Sequence, residues 1–265
     1  MRKAVVISCN NNPDYLFYAP IVTWAWNKIG WGTIIYLCSV DKKNSSFISN
    51  KLIEAKVTAI IPCDIEKYST ETVSQCIRLY AANNFEWYGY KSSKSEFLLM
   101  TSDVDMLPLS DYWKPNEKSI TAYGRDLSDE HYPMCYLSMN IELWEDVMTL
   151  TGSVKSDLER DLNIYENNWT CDQTIITERL NKRSDVVRID RGIDKSTGYP
   201  IGRCDRSSFL NSLKQKERVD AHLFRNGWES DKWDNLIFLL DENFKINKEE
   251  LEMFNNYRTD FINQL

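Results

Sequence analysis

The sequence lacks the features that mark several large classes of protein. No apolar run approaches the roughly 20 residues that a membrane-spanning helix needs. The 265 residues include 32 Lys and Arg against 39 Asp and Glu, so the formal net charge is −7. Non-specific binding to nucleic acid requires a basic surplus, and we therefore expect no nucleic-acid partner. Hydrophobic residues make up 43% of the chain and charged residues 27%, which is ordinary for a soluble globular protein.

We also expect neither disulfide bonds nor a signal peptide. No two of the cysteines form a CxxC pair, and the seven are scattered through the chain: Cys9, Cys38, Cys63, Cys76, Cys135, Cys171 and Cys204. An odd, dispersed set indicates reduced thiols. The apolar run at residues 4–7 is too short for a signal peptide and turns polar at Asn10. We therefore expect a cytoplasmic protein.

Apolar stretches alternate with helical patterns through the first 110 residues. Strands are predicted at residues 3–8, 32–40, 57–62 and 97–102, with helices between them at 18–29, 49–55 and 70–84. This alternation predicts an α/β fold with a doubly wound, mainly parallel sheet flanked by helices.

The second half of the chain is less regular. Strands are predicted at residues 119–123, 135–139 and 185–189, helices at 141–150, 171–180 and 248–265, and a loop at 192–208. Nothing in the composition marks a linker. We expect one domain over residues 1–235, followed by a helical extension at 236–265.

The most informative motif is an apolar strand that ends in two closely spaced carboxylates, Asp103 and Asp105. In extended backbone, side chains two residues apart point to the same side, so both carboxylates can reach one ion. Oxygen ligands of this kind suit Mg²⁺ or Mn²⁺, which usually carry substrate phosphates as well. We therefore predict that Asp103 and Asp105 bind Mn²⁺ or Mg²⁺, which in turn holds the diphosphate of an activated substrate.

Other polar residues follow the predicted strands, where ligands bind in doubly wound sheets. Ser8, Asn10 and Tyr15 follow the first strand, Asp41 the second and Asp64 the third. We predict that these five residues contact a nucleotide base or ribose. The alternative for each is a simple strand-end turn.

Two further segments complete a resemblance to a known family. The strand and loop at residues 5–10, the DxD motif Asp103-Val104-Asp105, the pair Asp172-Gln173 and the late segment 220–228 resemble GT-A glycosyltransferases, which use nucleotide-diphosphate sugars. The similarity is loosely to the glycogenin and lipopolysaccharide galactosyltransferase group. Two departures are visible, because residues 137–140 lack the glycine of that group and its late Lys-Pro-Trp is absent.

The resemblance implies a GT-A fold, with a nucleotide-binding half at residues 1–110 and a donor-sugar and acceptor half at 111–235. It implies that Asp103, Asp105 and the late His222 hold the metal, and that Asp172 and Gln173 lie near the donor sugar. His222 is one of only two histidines.

The expected reaction moves a sugar from a nucleotide-diphosphate sugar, with a UDP-sugar favoured, to a hydroxyl of a glycan, lipid-linked sugar or glycoprotein. The Asp-Gln and late-His pattern favours retention of configuration. Asp126 is a further candidate beside the donor sugar, and the cations expected to contact the donor are Arg78, Arg125, Arg203 and Arg225. The alternative for Arg78 is a solvated residue on a helix face, and the alternative for Arg125 and Asp126 is a surface ion pair.

Three other functions are alternatives to glycosyl transfer. A nucleotidyltransferase needs a glycine-rich phosphate loop after the first strand, and residues 9–14 contain no glycine. A haloacid-dehalogenase-like phosphatase also places DxD after a strand, but Met106 stands where Thr or Val normally follows. A non-catalytic module that binds a sugar nucleotide or glycan stays open as the third alternative.

Overall fold

The computed structural model describes residues 2–89, 93–116, 118–124, 131–165, 170–213, 215 and 217–265. The strands within these ranges are β1 (Arg2–Cys9), β2 (Gly32–Cys38), β3 (Ala59–Cys63), β4 (Phe97–Thr101), β5 (Met106–Pro108), β6 (Ile120–Tyr123), β7 (Leu137–Asn140), β8 (Val186–Ile189), β9 (Arg203–Asp205) and β10 (Asp220–His222).

The α-helices in the same ranges are α1 (Pro13–Leu16), α2 (Ala19–Lys28), α3 (Lys42–Glu54), α4 (Thr70–Cys76), α5 (Ile141–Met148), α6 (Val154–Leu162), α7 (Cys171–Leu180), α8 (Phe209–Ser212), α9 (Ser230–Phe244) and α10 (Lys248–Ile262). Short 3₁₀ segments occur at Ile77–Tyr88, Lys94–Glu96 and Met134–Tyr136.

A seven-stranded sheet in the described ranges forms the centre of the fold, in the order β3-β2-β1-β4-β7-β6-β8. β3, β2, β1 and β4 run parallel, and β8 is parallel to β6, whereas β7 is antiparallel to both of its neighbours. The predicted α/β fold with a mainly parallel, mixed sheet in a single domain is confirmed.

Both faces of this sheet are covered, which explains why residues 4–7 of β1 are all apolar. Val5 and Ile7 pack on one face with α2, α9 and α10. Ala4 and Val6 pack on the other face with α5, α6 and α7. Because successive side chains of a strand point to opposite faces, a strand covered on both sides must be apolar at every position.

A second, three-stranded sheet lies beyond the carboxyl end of β4, in the order β5-β10-β9. β10 is antiparallel to β5, with His222 opposite Met106. It is parallel to β9, with His222 opposite Asp205. The prediction of a loop over residues 192–208 is therefore wrong in its C-terminal part. β9 begins at Arg203 and pairs with β10, which follows later in the chain.

Several predicted helices differ in length from those observed. α3 begins at Lys42, earlier than predicted, because the Asp41 side chain accepts a hydrogen bond from the Asn44 amide and caps the helix. The single helix predicted at residues 70–84 is α4 followed by a 3₁₀ segment that extends to Tyr88. α7 has the predicted bounds.

The C-terminal helix packs into the main core. Its helical spacing buries Phe254, Tyr257 and Phe261. The Tyr257 ring stacks on Phe17 at 5.5 Å between centroids, and its hydroxyl donates to the Phe17 carbonyl at 2.8 Å. The boundary expected at residue 235 falls inside α9, so residues 236–265 share the hydrophobic core of the preceding residues.

The structure bears on the state of the cysteines and on membrane-spanning helices. The seven cysteines, all of them among the described residues, are free thiols. In the part of the chain described here, we find no helix with the length and apolarity to span a bilayer.

Candidate functional site

The DxD residues lie in a tight turn between β4 and β5. The Ser102 amide donates to the Val6 carbonyl at 3.0 Å, and the Met106 amide donates to the Asp103 carbonyl at 3.2 Å. Because this backbone is a turn rather than extended strand, the alternation that would point both carboxylates the same way does not apply. Asp103 pairs with Arg78, whereas Asp105 faces His222.

Asp105 is held against β10 by both its backbone and its side chain. The Leu223 amide donates to the Asp105 carbonyl at 2.8 Å, which continues the pairing of β5 with β10. As a result, Asp105 Oδ2 lies 3.3 Å from His222 Nε2. Burial favours the neutral carboxyl, but the hydrogen bond from His222 and the charges of His222 and Arg206 outweigh burial and lower the pKa of Asp105.

The other ring nitrogen of His222 faces a second carboxylate. Nδ1 lies 3.0 Å from Oδ2 of Asp205, its partner across the β9–β10 ladder. Burial opposes protonation of His222, but its hydrogen bonds with Asp105 and Asp205 raise its pKa to about 9. Asp205 is itself buried, yet hydrogen bonds from His222 and Ser207 lower its pKa to about 2. Asp205 was not among the residues predicted from the sequence.

Two arginines border Asp105. Arg206 Nη1 lies 3.3 Å from Asp105 Oδ2 and donates to the Leu223 carbonyl at 3.1 Å. The Arg225 guanidinium lies over the Tyr15 ring, 4.2 Å from its centroid, and donates to the Tyr15 hydroxyl. Burial raises the pKa of Tyr15 against the opposing effect of Arg225. The site therefore presents cationic groups beside a buried carboxylate.

The predicted residues Arg78, Asp103 and Asp172 form one ion-pair cluster. Arg78 donates to Asp103, to the Ser102 carbonyl at 2.8 Å and to Asp172 Oδ2 at 3.1 Å. Asp103 remains 40% exposed, whereas Arg78 and Asp172 are buried. Burial raises the pKa of Asp172 to about 6 against the opposing charge of Arg78.

Gln173 follows Asp172 in the first turn of α7 and is half-buried. Its backbone amide donates to Asp172 Oδ1 at 2.8 Å, which fixes the carboxylate from the side opposite Arg78. The structure thus brings the predicted pair Asp172-Gln173 to the DxD turn through Arg78.

Asp105 and His222 fit as two ligands of one divalent cation. In octahedral coordination with bonds of about 2.1 Å, neighbouring ligand atoms are about 3.0 Å apart, close to the 3.3 Å observed. Asp103 is paired with Arg78, and in the described ranges no group of three or more His, Cys, Asp or Glu side chains is assembled as a metal site. The predicted set of Asp103, Asp105 and His222 is thus only partly brought together.

The residues predicted near a base or ribose lie at the carboxyl ends of β1, β2 and β3. Ser8 donates to the Ser74 carbonyl and Asn10 donates to Thr70 at 3.2 Å, so both join the first strand to α4. Asp41 caps α3 and is fully exposed, and Asp64 accepts from Ser39 at 3.0 Å. These hydrogen bonds match the strand-end turns that were the alternative interpretation, and a contact with nucleotide stays a prediction.

One predicted cation, Arg203, is engaged in an ion pair within the small sheet. It is paired with Asp220, whose side chain is completely buried, at 2.8 Å. Arg203 lies on β9 directly opposite Asp220 on β10, and its contact with a diphosphate stays a prediction. Arg125 and Asp126 lie outside the described residues.

The fold has counterparts among solved structures. The bifunctional glycosyltransferase WbbM matches 96% of this chain with a TM-score of 0.52 and 12% identity, and the chain spans 51% of WbbM. The glycosyltransferase GlyE of Streptococcus pneumoniae TIGR4 matches 98% with a TM-score of 0.53 and 11% identity, and the chain spans 64% of GlyE.

At the level of sequence, no protein-family model and no curated protein matches the chain. At identities this low, the structural matches establish a common fold and no shared activity. The chain therefore has the GT-A glycosyltransferase fold, as its motifs indicated.

Proposed function

We propose that this protein is a metal-dependent glycosyltransferase. Its donor is a nucleotide-diphosphate sugar, a UDP-sugar in the first instance, and its acceptor is a hydroxyl of a glycan, lipid-linked sugar or glycoprotein. The observation that carries this proposal is the placement of Asp105, in the turn that follows β4, 3.3 Å from His222 on β10, within a GT-A fold. Ligands of doubly wound sheets bind at such strand ends.

Binding of the donor diphosphate follows from the charges at this site. Asp105 and His222, with Asp103 once it leaves Arg78, would hold Mn²⁺ or Mg²⁺. A bound divalent cation would neutralise the charge that develops on the leaving diphosphate. Arg206 and Arg225 flank Asp105, and guanidinium groups are well suited to phosphate oxygens.

The donor sugar is assigned to Asp172 and Gln173. Arg78 and the Gln173 amide hold the Asp172 carboxylate from two sides, so it is oriented before any substrate arrives. A fixed carboxylate beside the diphosphate site would stabilise positive charge that develops on the sugar as its bond to the phosphate breaks. The Asp-Gln and late-His pattern favours retention of configuration, which proton NMR of the product anomer would test.

The nucleotide is assigned to the carboxyl ends of β1, β2 and β3. Ser8, Asn10, Asp41 and Asp64 follow these strands, and Tyr15 stands next to Arg225. Contacts of this group with base and ribose would set the choice of nucleotide.

The test is calorimetric titration with UDP and a panel of UDP-sugars, with Mn²⁺ and with a chelator. We expect binding that requires Mn²⁺ and is lost in Asp105→Asn. Asp241→Asn, an exposed aspartate on α9, is the control and should bind like the wild type. Equal affinity with chelator, or unchanged binding in Asp105→Asn, would contradict the proposal.

Turnover separates an enzyme from a binding module. Incubation with a UDP-sugar and a mixed glycan acceptor should release UDP and give a glycosylated product. Metal-dependent binding without UDP release would favour a non-catalytic sugar-nucleotide module. Release of inorganic phosphate from simple phosphate esters would favour the phosphatase.

A further inference from the structure

Asp205 lies behind the proposed metal ligand His222 and forms hydrogen bonds with His222 and Ser207. It is only 2% exposed. Its Oδ2 atom lies 3.0 Å from His222 Nδ1, on the side of the ring away from Asp105. A carboxylate can only accept hydrogen bonds, so in this pair Nδ1 must donate.

The other oxygen of Asp205 is fixed by Ser207. The Ser207 amide donates to Oδ1 at 3.0 Å and the Ser207 hydroxyl donates to the same atom at 2.8 Å. That hydroxyl also lies 2.7 Å from the hydroxyl of Tyr199. Oδ2 is therefore left to face His222 in a single orientation.

We propose that Asp205 is the positioning residue that keeps the proton of the neutral His222 ring on Nδ1, which leaves the Nε2 lone pair for a divalent cation held beside Asp105. This inference rests on the function proposed above. Histidines that bind metals almost always donate their other ring N–H to such a partner, and losing the partner typically weakens metal affinity about 10–100-fold.

Asp205→Asn tests the inference because it should reverse the tautomer while keeping the shape. The Ser207 amide holds the side-chain oxygen in place, so the new amide group must face His222 and donate to Nδ1. The ring proton then moves to Nε2, where it points at Asp105 instead of a cation. In serine proteases the same change in the aspartate behind the catalytic histidine leaves the geometry intact but gives the wrong tautomer.

The first measurement is the affinity for Mn²⁺ and UDP by calorimetry. We expect Asp205→Asn to lose about 10–100-fold. Asp194→Asn is the matched control, because Asp194 makes the same two hydrogen bonds with Ser196, two residues on, and contacts no histidine in the described part of the chain. It should bind like the wild type.

The second measurement reports the tautomer directly. Long-range ¹H–¹⁵N correlation spectra resolve the two ring nitrogens, and His131→Gln leaves His222 as the one histidine in the sequence. With pH raised until the ring is neutral, we expect the proton on Nδ1 in the wild type and on Nε2 in Asp205→Asn. A merely structural role for Asp205 would not move this proton.

The outcomes separate the inference from the function on which it rests. If the wild type shows no Mn²⁺-dependent UDP binding, the proposed function fails and the inference falls with it. If the wild type binds but Asp205→Asn binds equally well, only the inference is overturned. If Asp205→Asn does not fold, the wild-type spectrum decides, and a neutral ring protonated on Nε2 would overturn the inference.

Discussion

The ion pairs of Asp220 hold together the small sheet on which His222 stands. The completely buried Asp220 carboxylate pairs with Arg203 at 2.8 Å and with Arg191 at 3.1 Å. We predict that Asp220→Asn destabilises the protein, because two largely buried guanidinium groups lose their counter-charge. Breaking a buried pair by removing one partner typically costs about 3–5 kcal/mol.

Thermal unfolding measures this loss. Each kcal/mol shifts Tm by about 2–4 °C in proteins of 150–250 residues, so we expect a decrease of about 6–20 °C. Asp146→Asn is the control, because Asp146 is 67% exposed and Arg183 keeps Asp185 as a second partner. An exposed pair contributes about 0–1 kcal/mol, and at about 2–4 °C per kcal/mol the control should change Tm by less than about 4 °C.

The pH dependence gives a second, independent readout. Burial favours the neutral form of Asp220, but Arg203 and Arg191 outweigh burial and lower its pKa. A carboxyl with a lower pKa in the folded state stabilises the protein above its unfolded pKa of about 3.9 and loses that contribution as pH falls through the folded value. The difference between wild type and Asp220→Asn should therefore be largest near neutrality and shrink in acid.

Two results would refute this reasoning. If Asp220→Asn unfolds within about 4 °C of the wild type, the pair contributes no more than an exposed one. If Arg203→Ala keeps the wild-type Tm while weakening UDP binding, Arg203 contacts the diphosphate as its sequence context suggested.

Two further predictions concern residues around the site. Gly227→Ala should lower Tm, because a Cβ at this position would lie 1.9 Å from the Tyr18 hydroxyl, which donates to the Phe224 carbonyl at 2.6 Å. Overpacking of this kind costs about 1–3 kcal/mol. An unchanged melting curve would contradict the clash. Asp172→Asn should remove the acid limb near pH 6 from the pH profile of kcat/KM. Burial raises the pKa of Asp172 to about 6, against the opposing charge of Arg78. An identical limb in the variant would show that another group titrates there.

The large sheet could be predicted from the sequence because its strands are continuous apolar runs. β1, β2 and β4 each contain at least five consecutive buried residues, and glycine or polar residues separate them from the helices. The small sheet could not be predicted in this way. β5, β9 and β10 have three residues each, too few for a period to show, and β5 pairs with a strand that begins more than 100 residues later in the chain.

The site was predictable only in part for the same reason. Asp105 and His222 could be expected together because the resemblance named both, and the structure places them 3.3 Å apart. Asp205 gave no signal, because its role depends on the register between β9 and β10, which no local pattern records. The ion pair of Arg203 with Asp220 could not be predicted, because the loop-like segment around Arg203 hides the strand that places it opposite Asp220.

The two ladder pairs of β9 and β10 connect the stability of the small sheet to the chemistry proposed for it. Asp220 lies opposite Arg203, and two residues further along the same strands His222 lies opposite Asp205. A slip of one residue would turn every side chain of a strand to its other face. Such a slip would separate the buried Asp220 from Arg203, so the ion pair opposes it. The pair that stabilises the sheet thus also keeps His222 between Asp205 and Asp105, and the register of two three-residue strands determines whether a metal site can form.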